Sequence, residues 1–177
     1  MKISGILQAT ILALAVLVAG DVLAGWDPNA EGKAREAIVA FKKADPEMNV
    51  FFNKSYGYAV FPAVGKGGMG FGGAYGNGLV FEKERVIGRT SLAQLTFGFQ
   101  LGGQVYREII FFKDKSTLDD YRKGNFELGA QASAVAATLG ASADADFNRG
   151  LAIFTMARGG LMYEATVGGQ KFSFEPR

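Results

Sequence analysis

From Tyr56 to the last residues, glycine recurs every few positions among aromatic and branched side chains, and that texture restricts most of the chain to β structure. In the stretch Gly68 to Tyr75, Met69, Phe71, Gly73 and Tyr75 fall on one face of a strand, while Gly70, Gly72 and Ala74 fall on the other. A bulky face backed by a bare one predicts a sheet whose second side is approached closely by another element. Tyr56 to Phe61 reads as a strand ended by Pro62, and Asn77-Gly78 as a two-residue hairpin turn, because both central residues of that turn need positive φ. Leu79 to Phe81 is then the return strand and Glu82-Lys83-Glu84-Arg85 a charged turn or edge. Val86-Ile87, Leu92 to Gln100 and Gln104 to Phe112 follow as strands, the last being the most hydrophobic. The Ala/Ser/Thr-rich segment Ala130 to Ala141 is assigned to strand, and Gly159-Gly160 and Gly168-Gly169 mark turns between Leu151 to Met156, Leu161 to Val167 and Lys171 to Phe174.

Two segments depart from this texture. Ala30, Ala34, Ala37, Ile38 and Phe41 make one apolar stripe at helical spacing, flanked by charged residues, so a helix is predicted from about Asn29 to Ala44. Asn29 is its expected cap, Asp45-Pro46 its end, and Pro46 the start of a short second helix through Phe52. The stripe fits a lid packed on the sheet better than a segment lying on a membrane, since alanine offers little area to lipid. Ser116-Thr117-Leu118-Asp119 opens a short internal helix with the Ser116 hydroxyl as expected cap, and Lys123-Gly124-Asn125 stops it. The fold class expected is α+β and β-rich: an antiparallel sheet or partly closed barrel of roughly eight short strands, with an N-terminal helix and one short internal helix.

The beginning of the chain reads as an export signal. Met1-Lys2 is a short basic start, Ile6 to Gly20 is almost wholly apolar, and Val22-Leu23-Ala24 offers a cleavage site before Gly25. The apolar run is short for a membrane span of about 20 residues. The expectation is a signal peptide over 1–24 and a single domain over 25–177, periplasmic or secreted. The 177-residue chain has no cysteine and no histidine, which excludes disulfides, thiol lipidation and the usual zinc sites. A formal net charge of +2 does not describe a nucleic-acid binder, but it permits attraction to anionic lipid if the basic residues cluster.

Recognisable catalytic patterns fail on physical grounds. Gly65-x-Gly67-x-x-Gly70 matches a dinucleotide pattern, yet the strand-like Phe71-Gly72-Gly73-Ala74-Tyr75 follows where a helix N-terminus is required. A phosphate-binding loop fails at Val60 and Gly67. Asp119 and Asp120 point apart on a helix, and Asp144 with Asp146 falls short of the ligands calcium takes. No catalytic residue, metal or cofactor is assigned. The basic residues Lys66, Arg89, Arg107, Arg149 and Arg158 lie beside glycines or strand ends, where freed backbone amides and a cation can together hold an anionic head group. Phe41, Lys42, Lys43, Phe51 and Phe52 are the candidate membrane contacts of the helical segment.

The run Ser55-Tyr56-Gly57-Tyr58-Ala59-Val60-Phe61-Pro62, with Lys66-Gly67-Gly68 and Gly72-Gly73 after it, resembles the opening of the SYLF domain, the Ysc84-type actin- and lipid-binding family. Phe97-Gly98-Phe99-Gln100-Leu101-Gly102-Gly103-Gln104 resembles that family's central glycine-rich strand pair, and Ala157-Arg158-Gly159-Gly160-Leu161 its late strand turn. The resemblance runs from about Gly32 to Phe174. It implies a non-catalytic module that binds anionic phospholipid through basic residues and an N-terminal amphipathic segment. Actin, a ligand of some relatives, is not expected for an exported chain. A structural or partner-binding envelope protein and a small outer-membrane β-barrel are the alternatives.

Overall fold

The computed structural model describes residues 27–124, 126–128, 135–136, 140–143 and 145–177, with the side chains of 69–70, 97–101, 135–136 and 159–168 outside the description. The expected signal segment and Asp144 therefore lie outside the described residues, as does most of 130–141. Helix α1 spans Ala30–Ala44, a 3-10 turn Pro46–Met48, and α2 Asn49–Lys54. Strands β1 (Gly57–Glu82) and β2 (Arg85–Phe112) lead to helix α3 (Lys115–Arg122). The short strands β3 (Phe126–Leu128) and β4 (Val135–Ala136) and the long β5 (Leu151–Pro176) follow.

The sheet runs β1-β2-β5-β3, antiparallel throughout, with β4 added parallel to β5. The α+β, β-rich class and its antiparallel, barrel-like sheet are as the sequence predicts. What joins the strand segments differs. Asn77 and Gly78 stay in the ladder opposite Ser91 and Thr90, and the chain reverses instead at Lys83 and Glu84, whose φ values are 48° and 66°. Gly159-Gly160 and Gly168-Gly169 likewise continue β5, opposite Val105-Gln104 and Thr96-Leu95. The segments read from sequence are thus joined through irregularities in register, at Phe61/Val64, Met69/Phe71 and Val80/Phe81 of β1 and at Val105/Tyr106 between β2 and β5. A bulge re-aims a strand without ending it.

Strands of this length cannot stay straight. Twenty-six residues extended would run about 86 Å, whereas a domain of this size has a radius of gyration of roughly 15 Å. The β1-β2-β5 sheet therefore coils back through its glycine-rich middle, and the two ends of β1 meet. Tyr58 stacks on Phe81 with ring centroids 5.1 Å apart, and Tyr56 Oη donates to Glu82 Oε1 at 2.8 Å. The approach is so close that a Cβ at Gly57 would stand 2.5 Å from the Phe81 carbonyl oxygen, and one at Gly78 2.5 Å from that of Val60.

Coiling gives the sheet an inner and an outer face. The inner face carries Phe61, Val64, Leu92, Ile110, Phe112 and Phe172, all buried. Phe61 and Phe172 lie at distant registers of non-adjacent strands, yet their rings approach to 5.7 Å across the interior. Helix α3 closes one end with Leu118 and Tyr121, the Tyr121 ring lying 4.8 Å from Phe112 and its hydroxyl 2.6 Å from Thr90 Oγ1. On the outer face, α1 and α2 cover the stretch formed by Tyr58, Val60, Ile109, Phe111 and Phe154. Ala34, Ala37 and Phe41 of the predicted stripe are buried there, so α1 is the lid that its periodicity implies.

Asn29 is the N-cap position of α1, whereas at α3 a neighbouring aspartate replaces the expected cap. The Asn29 side chain makes no cap bond, and Asp27 Oδ1 instead accepts from the Asn29 amide at 2.9 Å. At α3, Asp114 rather than Ser116 is the cap, accepting from the Thr117 amide and hydroxyl at 2.9 Å each. A carboxylate suits the positive end of a helix at least as well as a hydroxyl. Gly124, at φ 78°, follows α3 where the sequence places its stop.

Candidate functional site

The helices leave the middle of the outer face uncovered. Alternation along β1 and β2 puts Phe71, Tyr75, Leu95 and Val105 on that face, and they are respectively 73, 46, 72 and 40% exposed. Their neighbours in sequence, Ala74, Leu92 and Thr96, turn inward and are buried. Cross-strand glycines explain the exposure. Leu95 stands opposite Gly73 of β1 and Gly169 of β5, and Val105 opposite Gly65 and Gly159, so no side chain rises beside either residue across the ladder. Phe71, Tyr75 and Leu95 thus form an exposed apolar strip about the paired stretches 71–75 and 93–97, with Val105 farther along the same face, and grouped exposed apolar area marks an interaction site more often than scattered single residues do.

Two cations meet beside Val105. Arg107 on β2 and Arg158, at the register shift of β5, lie near each other; Arg158 Nη1 donates to the Pro62 carbonyl at 3.3 Å, and Arg107 Nη1 lies 3.8 Å from Met156 Sδ. Partial burial, and then the charge of Arg158, hold the Arg107 guanidinium below its ordinary value, while Glu36 of α1 opposes them. Lys66 falls opposite Gln104, one residue past the Gly65–Val105 pair, so alternation turns it to the inner face that Val64 and Tyr106 share, away from Val105.

The remaining basic candidates lie elsewhere. Arg89 sits opposite Leu79 and Glu175 near the start of β2, and Arg149, at φ 50°, sits in the turn before β5. Of the five cations, the fold brings together Arg107 and Arg158, turns Lys66 to the other face of the sheet, and separates the other two. Among the candidate membrane contacts, Phe41 and Phe51 are buried against the sheet, because the apolar stripe of a lid must face its core. In this conformation they are core residues, which corrects their assignment as lipid contacts. Phe52 is half-buried beneath Lys42, whose Nζ lies 4.4 Å from the ring centre, and Lys43 is exposed. The exposed apolar residues of the helices are Val39 and Val50.

Sequence reasoning missed the strip, although the bulky face Met69-Phe71-Gly73-Tyr75 was its signal. Taken alone, that alternation does not say which face turns outward. It also missed Glu108. This carboxyl faces the interior among Phe61, Ile110 and Phe112, fully buried, and its one described partner is Gln170 Nε2, 3.0 Å from Oε2. Oε1 has none. Burial pushes the group up to about 7, against the pull of the Gln170 hydrogen bond. Among the described residues no three acidic side chains converge as a metal site would require. Asp119 pairs with Lys115 and Arg122, and Asp120 with Lys123, on the outside of α3.

The chain is similar to known proteins over part of its length. Residues 93–176, from the middle of β2 to the end of β5, match the family described as Ysc84, Las17-binding protein actin regulator. The chain is also similar to beta cell expansion factor A of Aeromonas veronii, 28% identical over 143 residues, which are 78% of this chain and 53% of that protein. The chain thus spans about half the length of this relative. The matched segment contains Leu95, Val105, Arg107, Glu108 and Arg158, whereas Lys66 and Phe71 precede it. Residues 93–176 thus match the Ysc84, or SYLF, family, in agreement with the second and third of the sequence blocks noted above.

Proposed function

We propose that this protein is an exported, non-catalytic module that binds anionic phospholipid at the surface of the cell envelope, in the periplasm or outside the cell. The observation that carries the reading is the exposed outer face of Phe71, Tyr75 and Leu95, with Val105, Arg107 and Arg158 farther along the same face. Such a surface can place aromatic and aliphatic side chains at the acyl boundary while guanidinium groups meet phosphate oxygens. Withdrawing Phe71 and Leu95 fully from water contributes roughly 3–6 kcal/mol, enough to matter without a membrane span. The absence of histidine and cysteine from the sequence is in keeping with a binder rather than an enzyme. Helices α1 and α2 lie on the outer face, where a spanning barrel would meet lipid, and this favours peripheral attachment over a spanning barrel.

Flotation of the exported protein with phosphatidylcholine vesicles, with and without phosphatidylglycerol, tests the proposal. Binding is expected with the anionic vesicles at low salt, weakened by high salt. It should fall at least tenfold when Phe71 and Leu95 are both replaced by serine, with the fold retained. Absence of binding to anionic vesicles at low salt would refute it.

A further inference from the structure

Glu108 is a buried acid that the surface described above does not use. Its position in the fold gives it a mechanical role. In the ladder Glu108 stands opposite Phe61 of β1 and Thr155 of β5, in the half of the sheet beneath the helices. Gln170 stands opposite Gln94 and Leu128, in the half that has coiled back. The 3.0 Å hydrogen bond between Gln170 Nε2 and Glu108 Oε2 therefore does not run along the ladder; it spans the interior and ties one half of the coil to the other. Around it the interior is apolar, and Oε1 faces that interior without a partner.

We propose that Glu108 is a proton-operated bolt: protonated, it lets the far half of the coiled sheet stay closed over an uncharged interior, and ionised, its buried charge drives that half to open in spite of the Gln170 hydrogen bond. An unpaired charge in an apolar interior is costly, and opening the coil admits water to solvate it. The groups that face it are Phe61 from β1, Tyr106 and Ile110 from its own strand, Thr155 and Gln170 from β5, and Tyr121 from α3. The charged residue on the same face of β1 is Lys66, at the Gln104 register, and it is not among the groups that shift Glu108, which are burial and Gln170. The phenol of Tyr121 supplies no charge near neutral pH, since burial pushes its hydroxyl still further up.

The sign follows from proton linkage. The closed form holds the Glu108 proton up to about pH 7, whereas the solvated carboxyl of the open form loses it near its ordinary 4.5. Closure is therefore fully favoured below pH 4.5, weakens as pH rises to about 7, and is level above it. This is the reverse of an ion-paired carboxylate. Between pH 5.5 and 8.5 the opening equilibrium should rise roughly 30-fold.

Amide hydrogen exchange on the exported protein, without lipid and with rates corrected for intrinsic chemistry, reads this directly in segments 74–80 and 168–174. The wild type is expected to open roughly 30-fold more at pH 8.5 than at pH 5.5. Glu108→Gln should show no such rise, since the amide keeps the shape and cannot ionise. Gln170→Leu should open more at both pH values and keep the rise. A pH-independent wild type, or an undiminished rise in Glu108→Gln, overturns the proposal. Should Glu108→Gln not fold, Glu108→Met takes its place and is read the same way. Because no lipid enters the measurement, its outcome is separate from that of the vesicle test.

Discussion

Replacing Gly78 with alanine tests whether the sheet coils until the ends of β1 touch. A Cβ at that position would stand 2.5 Å from the Val60 carbonyl oxygen, 2.8 Å from Phe61 Cδ1 and 3.1 Å from Phe61 Cε1. Phe61 is fully buried against Phe172 and cannot swing aside, and the carbonyl belongs to a strand paired along its length with β2. The strands must separate by most of an ångström, at a strain of about 2–3 kcal/mol, the upper part of the range for overpacked cores. Alanine also restricts the unfolded chain, which returns about 0.4–1 kcal/mol. The net loss is about 1.5 kcal/mol, and for a domain of this size that lowers Tm by roughly 3–6 °C. Gly65→Ala is the matched control. It lies on the same strand with nothing within 4 Å of a new Cβ, so only the unfolded-state effect remains and Tm should rise by a few degrees. Thermal unfolding followed by far-UV circular dichroism compares the two variants. If Gly78→Ala melts as high as Gly65→Ala, the two ends of β1 do not meet as described.

Two further outcomes rest on the lid. Phe41→Ala empties a fully buried site between α1 and the sheet and should cost about 3–5 kcal/mol in chemical denaturation; a loss under 1 kcal/mol would mean that α1 does not pack there. Asp45 joins the end of α1 to the segment before β5, accepting from the Ser142 amide at 2.8 Å and the Glu47 amide at 3.1 Å. Burial opposes its charge, but hydrogen bonds from Ser142, Glu47 and Gly140 outweigh burial and hold the carboxyl below its ordinary 3.8. Its contribution is therefore present above pH 3.8 and lost as pH falls through the lower folded value. Asp45→Asn should flatten the wild-type loss of stability below pH 4, and an unchanged acid limb in urea titrations would contradict this role.

The lid was legible because a helix declares its buried face at every turn: Ala34, Ala37 and Phe41 repeat at the required spacing whatever they pack on. The strand segments were legible by composition for the same kind of reason. Their connections were not. Asn77-Gly78 carries the strongest local turn signal in the chain, yet it pairs in mid-strand while Lys83 and Glu84 make the turn with two non-glycine residues at positive φ. Local preference of this size yields to the register of long paired strands. Asn29 is the N-cap position as expected but its side chain makes no cap bond, and the cap assigned to Ser116 falls two residues late, since Asp114 is an equally able acceptor and only the course of the backbone selects between them.

The cations show the limit most clearly. Their identity and their company of glycines are sequence properties, but Arg107 on β2 meets Arg158 on β5 through a pairing across 49 residues between Arg107 and Met156, whereas Arg89, of the same type, lies far along the same strand. Sequence alone determined the α+β class, the amphipathic lid and the resemblance that residues 93–176 bear out, because each depends on residue type and local spacing. The tertiary structure decided which face of the glycine-rich strands turns to solvent, which arginines converge, and that Glu108 is enclosed. Each of these depends on how the sheet coils, and coiling is a collective property of three long strands that no single segment encodes.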